Sequence, residues 1–242
     1  IPVVVVTTVW SVFTVVVYLM IVYGSFVQLW GRDNTLTFKH YIQAFAVSFG
    51  DFGLQWPGSA WNSFWTTLQI ASISAPLTAA IGLITAWLLT RQTFRGKQLF
   101  EFGTMLSFAI PGTVIAVGVL IPFAWFDNTL DAWMREHFDI ATGLLLSGTL
   151  IAVVFAYLVR FLPVALNTLD AGLGKIKPTM DDVGRSMGLN PLQILRRVHV
   201  PLLQGSLLTA SLLVFVDVLK ELPATLILRP FNFNTLAIRT YE

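Results

Sequence analysis

The sequence predicts an all-α protein, a polytopic bundle of transmembrane helices, on three observations. Of its 242 residues 55% are hydrophobic and 12% charged, with a mean hydropathy of +0.73, whereas soluble domains carry roughly 25% charged residues. Apolar runs long enough to cross hydrocarbon, which takes roughly 20 helical residues, recur about five times. The polar connectors between those runs alternate in basic charge.

The spans are read at residues 3–27, 61–89, 100–126, 142–162 and 202–222. The first lacks a basic leading segment and a small-residue cleavage site, and its apolar run is too long for a signal peptide, so it counts as a span. Pro76 lies inside the second, Ile110-Pro111-Gly112 interrupts the third, and Pro163 closes the fourth just after Arg160. Such breakers free backbone carbonyls that neighbours or water must satisfy, which favours cavity-facing or protein-facing positions; they also serve simple packing and kinking. Trp56, Trp61, Trp65 and Trp125 sit near the proposed interfaces as belt anchors.

Connectors 28–60 and 127–141 hold three basic residues, Arg32, Lys39 and Arg135. Connectors 90–99 and 160–200 hold nine: Arg91, Arg95, Lys97, Arg160, Lys175, Lys177, Arg185, Arg196 and Arg197. The positive-inside rule therefore makes the second pair cytoplasmic, including a loop at 163–200. The net charge of +2 and pI near 9.1 follow this sidedness and give no reason to expect nucleic acid. With no cysteine, disulfides, thiolate metal sites and cysteine nucleophiles are excluded.

Within that loop, residues 179–201 read TMDDVGRSMGLNPLQILRRVHVP, a polar element between apolar runs. Thr179 can cap a helix with Asp182 at its third position, and Gly188 can end it in the left-handed conformation. Asn190 can cap a second helix, with Pro191 at its first position and Gln193 at its third, until Pro201 breaks the run.

This element resembles the EAA loop of the membrane subunits of ABC importers, whose pattern is E-A-A, three residues, G, nine residues, I-x-L-P. Asp182, Val183, Gly184, then Gly188, then Val198, His199, Val200 and Pro201 stand in that register. Asp replaces Glu, and Gly184 weakens the first helix by roughly 1 kcal/mol relative to Ala. The resemblance implies a type I importer permease, whose bent coupling helices dock on a cytoplasmic ABC ATPase dimer. It assigns ATPase coupling to Asp181, Asp182, Gly184, Arg185, Gly188, Asn190, Pro191 and Pro201.

The other sharp feature is the charged cluster at the end of the fifth span. Asp217 and Glu221 are four apart with Lys220 between, so they share a helical face. Ionisable groups in a membrane carry an insertion penalty of about 2.5–3.5 kcal/mol at its centre and usually face protein or water. They line a path or a docking surface, or form an internal ion pair. Together with Pro111, Gly112 and Arg160 they are the candidate translocation path, and Asp217 and Glu221 the candidate metal ligands.

Residues 220–239, KELPATLILRPFNFNTLAIR, are very similar to a segment of ferric iron importer permeases, as are Ile110-Pro111-Gly112-Thr113 and Tyr157-Leu158-Val159-Arg160-Phe161-Leu162-Pro163. That branch often fuses two homologous halves, and the chain is expected to be a piece of such a polypeptide, resembling a C-terminal half and lacking a further span. The resemblance implies Fe³⁺ as substrate, a periplasmic substrate-binding protein and a bacterial inner-membrane location. Oxygen ligands suit that hard cation.

An enzyme finds little footing. Gly172-Leu173-Gly174-Lys175 lacks the spacing and following Ser/Thr of a phosphate loop, so ATP and Mg belong to the partner ATPase and no cofactor is expected here. His40, His137 and His199 show no metal-ligand spacing, and His199 is read as a polar residue at a helix end. Two other classes remain open: an ATP-independent carrier or channel relaying ions through Asp217, Lys220 and Glu221, and a non-transporting scaffold. Within the importer class, thiamine, a polyamine or an anion are alternative cargoes.

Overall fold

A computed structural model describes residues 2–50 and 53–242, with only the backbone of Gly50. The chain divides into two compact units, residues 1–62 and 63–242.

In the first unit, α1 (Pro2–Ser25) buries none of its side chains, and a helix apolar all round has lipid or a partner as its natural surroundings. Two short antiparallel hairpins follow, β1 (Val27–Leu29) with β2 (Asp33–Leu36) and β3 (Ser48–Gly50) with β4 (Gly53–Gln55). Between them lies α2 (Lys39–Ala44). Trp56 meets Trp61 edge to face, and the Trp61 Nε1–H donates to Ala46 O at 3.0 Å.

The second unit holds the core. Four helices carry it: α3 (Trp61–Arg91), α5 (Gly112–Phe138), α6 (Leu150–Leu173) and α10 (Gln204–Leu219). Small residues let them approach closely: Ala71, Ala75, Ala79 and Ala86 of α3 and Ala152, Ala156 and Ala165 of α6 are buried. A Cβ on Gly82 would lie 2.8 Å from that of Ala165, the close packing that stabilises helix pairs in lipid. Among the described residues four helices, α1, α3, α5 and α6, are long and apolar enough to cross a membrane. A fifth is reached if the bent run from Pro191 to Leu219 is counted as one span.

Three expected spans are corrected. The run at 100–126 is two helices, α4 (Lys97–Ala109) and α5, because Pro111 has no N–H to give and the chain breaks completely there. α5 then continues through the expected connector to Phe138, supported by the Asp131–Arg135 pair at 2.6 Å. That shift delays α6, which begins at Leu150 with Thr149 as its cap. Asp127 and Asp131 recruit the intervening loop, accepting from Leu146 N, Ser147 N and Ser147 Oγ, and from Thr142 N and Gly143 N. Pro163 does not close the fourth span. It lies inside α6, which runs ten residues further to Leu173, so Arg160 belongs to a helix and not to a connector.

The fifth span is shorter than 202–222. α10 ends at Leu219, Glu221 lies beyond it, and Pro223 opens a new short helix, α11 (Pro223–Leu228), which packs on α5 and α6. The last helix, numbered α12 in chain order (Leu236–Tyr241), starts with its Leu236 N–H bonded to Thr67 Oγ1 of α3 at 2.8 Å.

Candidate functional site

Two polar sites interrupt the apolar bundle. The first is the bent element. α7 (Thr179–Ser186) starts at the residue expected to cap it: Pro178 is the boundary residue, its carbonyl accepts from Asp181 N and Asp182 N, and Thr179 makes no cap. The reason is that Pro178 already has helical dihedrals, φ −55° and ψ −28°, which places Thr179 inside the first turn. Gly188 ends the helix at φ +79°, with Leu189 N bonded to Gly184 O at 3.0 Å and Gly188 N to Arg185 O at 2.9 Å. α8 (Pro191–Ile194) has the reciprocal capping box, Gln193 N to Asn190 Oδ1 at 2.8 Å and Asn190 N to Gln193 Oε1 at 2.9 Å.

Pro201 does not break the run. A π-helical turn, Leu195–His199, leads into a short helix, α9 (Val200–Leu202), that contains it, and the 78° bend to α10 falls at Leu203. Proline at the first positions of a helix loses nothing, since its N–H would be unbonded anyway.

The two acids of α7 differ. Asp182 is exposed and reaches Arg185 at 3.7 Å. Asp181 is buried, with Oδ2 3.5 Å from Arg91 Nε and Oδ1 2.8 Å from Nε2 of His199, itself wholly buried. These approaches are close but not aligned as hydrogen bonds. The Arg91 guanidinium also donates to Leu173 O and Ile176 O, so the end of α3, the end of α6, α7 and the π turn meet at one point. Val183, Met187 and Leu192 meanwhile stand exposed on the outside of the bend. The sequence marks neither Arg91 nor His199 as part of the site; His199 reads there only as a polar residue at a helix end, and the one local signal that could single it out is a histidine among the aliphatics of VHVP.

The second site gathers four of the six candidate path residues. Glu221 is buried and takes Arg160 Nε at 3.0 Å on one oxygen and Ala224 N at 3.2 Å on the other. Arg160 Nη1 donates to Ile110 O at 3.1 Å, satisfying a carbonyl at the Pro111 break. A Cβ on Gly112 would fall 2.7 Å from Glu221 Oε1 and 3.3 Å from Arg160 Cζ, so any side chain there would have to push the Glu221 carboxylate aside. Beneath it the Tyr157 hydroxyl bonds Thr225 Oγ1, which donates to Glu221 O at 2.8 Å.

Asp217 and Lys220 stand apart from this group and pair with each other at 2.8 Å. The Asp217 carboxylate, bonding the Lys220 ammonium, raises its pKa above the ordinary value. Because α10 ends at Leu219, Asp217 and Glu221 do not share a helical face. Among the described residues no three His, Asp or Glu side chains are grouped to hold a metal ion.

Comparison with known proteins adds relatives. The ferric transport system permease protein FbpB of Actinobacillus pleuropneumoniae is 34% identical over 90% of this chain and 28% of its own length. The Fe(3+)-transport system permease protein FbpB 2 of Haemophilus influenzae is 29% identical over 75% of this chain and 33% of its own. The sulfate transport system permease protein CysT of Salmonella typhimurium is 27% identical over 66% of this chain and 56% of its own. The chain thus spans roughly a third or less of the ferric permeases it matches. Its long apolar helices have a matching context: the family model described as binding-protein-dependent transport system inner membrane component covers residues 78–240, so this chain belongs to that family of multi-pass membrane transport components.

Proposed function

We propose that the chain is a permease half of an ATP-driven importer, coupled through residues 179–201 to a separate cytoplasmic ABC ATPase dimer. The observation that carries this reading is the bent element itself. It is rigidly capped, anchored at Asp181 from beneath, and presents Asp182, Val183, Met187 and Leu192 outward. Apolar side chains exposed on an ordered helix–bend–helix seek a partner's groove. Arg91 touches Asp181, so the basic 91–97 turn and the basic residues of 175–197 lie at one end, which the positive-inside rule makes cytoplasmic.

In this reading ATP and Mg are bound by the ATPase, and this chain binds no cofactor. A second permease half, fused or separate, completes the path, and a periplasmic binding protein delivers the cargo. The cargo is ferric iron, as the names of the relatives support. Glu221, Arg160, Pro111 and Gly112 set the shape of the α4–α5 break along the path, while Asp217 and Lys220 stand nearer solvent.

A second cargo, an oxyanion, is supported by the sulfate permease among the relatives, while Glu221 and Asp217 each face a cation of their own chain and neither is free for Fe³⁺. Uptake separates the two. The intact system should accumulate radiolabelled Fe³⁺ and not sulfate, and Asp182→Lys or Gly188→Pro should abolish both ATPase copurification and uptake. Retained uptake without ATPase binding contradicts the importer reading; sulfate uptake contradicts the ferric one.

A further inference from the structure

Asp181 and Asp182 are neighbours in sequence and opposites in setting, and the difference divides the labour of the coupling element. Asp182 has 70% of its side chain exposed and one local partner, Arg185. Asp181 has 8% exposed and touches two elements remote in sequence, α3 through Arg91 and the π turn through His199. A docking residue must be reachable by another protein. Asp181 is not.

We propose that Asp181 is the positioning residue that transmits movement of the coupling helix to the bundle, through Arg91 to α3 and α6 and through His199 to α10. This rests on the importer reading and deepens it. The connection is physical at every step. α7 has only eight residues, of which Asp181 and Gly184 alone are buried, so its hold on the bundle depends on this buried contact and on Ile194 packed beneath Gly184. Arg91 binds the carbonyl of Leu173, the last residue of α6, and that of Ile176 in the turn after it, as well as touching Asp181, so a pull on the carboxylate reaches the ends of two long helices at once. His199 closes the π turn, whose Val200 N–H reaches back to Leu195 O, and stands four residues before the 78° bend into α10.

The contacts are close without being fully satisfied: Asp181 Oδ1, Arg91 Nε and both His199 ring nitrogens are buried without an aligned hydrogen bond, and buried polar groups in that condition are costly to leave so. Chains of packed polar side chains that join rigid elements carry coupling between distant sites.

The test uses the full-length permease reconstituted in proteoliposomes with its ATPase and binding protein, with radiolabelled Fe³⁺ as probe. Asp181→Asn keeps the shape and removes the charge; it should leave ATPase capture and ATP hydrolysis near wild type while ions imported per ATP fall about tenfold, within the range of mutations that modulate coupling. Asp182→Asn should do the reverse, weakening capture and leaving ions per ATP unchanged. Should the single variant fail to fold, Arg91→Gln with Asp181→Asn leaves no unpaired buried charge and is expected to show the same loss of stoichiometry. Wild-type stoichiometry in the folded variant overturns the proposal, and so does loss of ATPase capture by Asp181→Asn, which would make it a docking residue. A wild-type chain that captures no ATPase contradicts the importer reading instead.

Discussion

The bent element and the Arg160–Glu221 site are both polar islands in an apolar bundle, yet they are constructed on opposite plans. Residues 179–201 shape their backbone locally, by a capping box and a left-handed glycine, reach the bundle through Asp181 and its neighbours, and keep one face exposed. The Arg160–Glu221 site satisfies itself over long range, with Arg160 on α6, Glu221 after α10 and the Ile110 carbonyl at the α4–α5 break, and its ion pair is exposed only at part of the arginine. The lesson is that the capped, exposed face of the first site can lose a side chain without opening anything buried, whereas Glu221 of the second, like Asp181 against Arg91, cannot be removed without leaving a charge behind.

That contrast is most easily broken at Glu221. Glu221→Ala strands Arg160, and truncating one partner of a buried pair destabilises by about 3–5 kcal/mol; thermal unfolding in detergent should show the largest fall of any substitution considered. A Tm near wild type would mean the pair is not buried in the assembled protein. Gly112→Ala comes next, at about 1–3 kcal/mol, because its methyl group would have to displace the Glu221 carboxylate. Gly188→Ala meets no atom within 4 Å and is strained only by its φ of +79°, so about 1 kcal/mol is expected. Asn190→Ala should also lose about 1 kcal/mol with its capping box, and both should weaken ATPase capture more than they lower Tm. Asp217→Asn sits at the bottom, within about 0.5 kcal/mol, since its partner Lys220 is 73% exposed and a pair screened by solvent on one side contributes little. A fall as large as that of Glu221→Ala would move Asp217 into the buried site.

The same contrast explains what the sequence made legible. Gly188 and the Asn190–Gln193 box rest on partners three residues away, and their spacing announces them. The Arg160–Glu221 pair joins residues 61 apart, and no local pattern selects one acid of Asp217 and Glu221 over the other. The apparent shared face of those two acids assumed a helix through Glu221; Pro223 opening α11 and the pull of Arg160 end it at Leu219. Asp181 was placed in the coupling element by its neighbours, but its burial depends on Arg91 and His199, which only the packed bundle brings to it. Hydropathy located the long helices, and erred where a proline lies within an apolar run, at Pro111 by reading too much continuity and at Pro163 by reading too little.

Coupling in an importer of this kind depends above all on the outer face of the bend meeting an ATPase. Met187 is 75% exposed on that face, and Phe231, 99% exposed, lies in the loop between α11 and α12. A photo-cross-linking residue placed at each position in turn, in the intact transporter in its native membrane, should give an ATPase adduct from position 187 and none from position 231. Absence of an adduct at 187, or an equal one at 231, would contradict that contact.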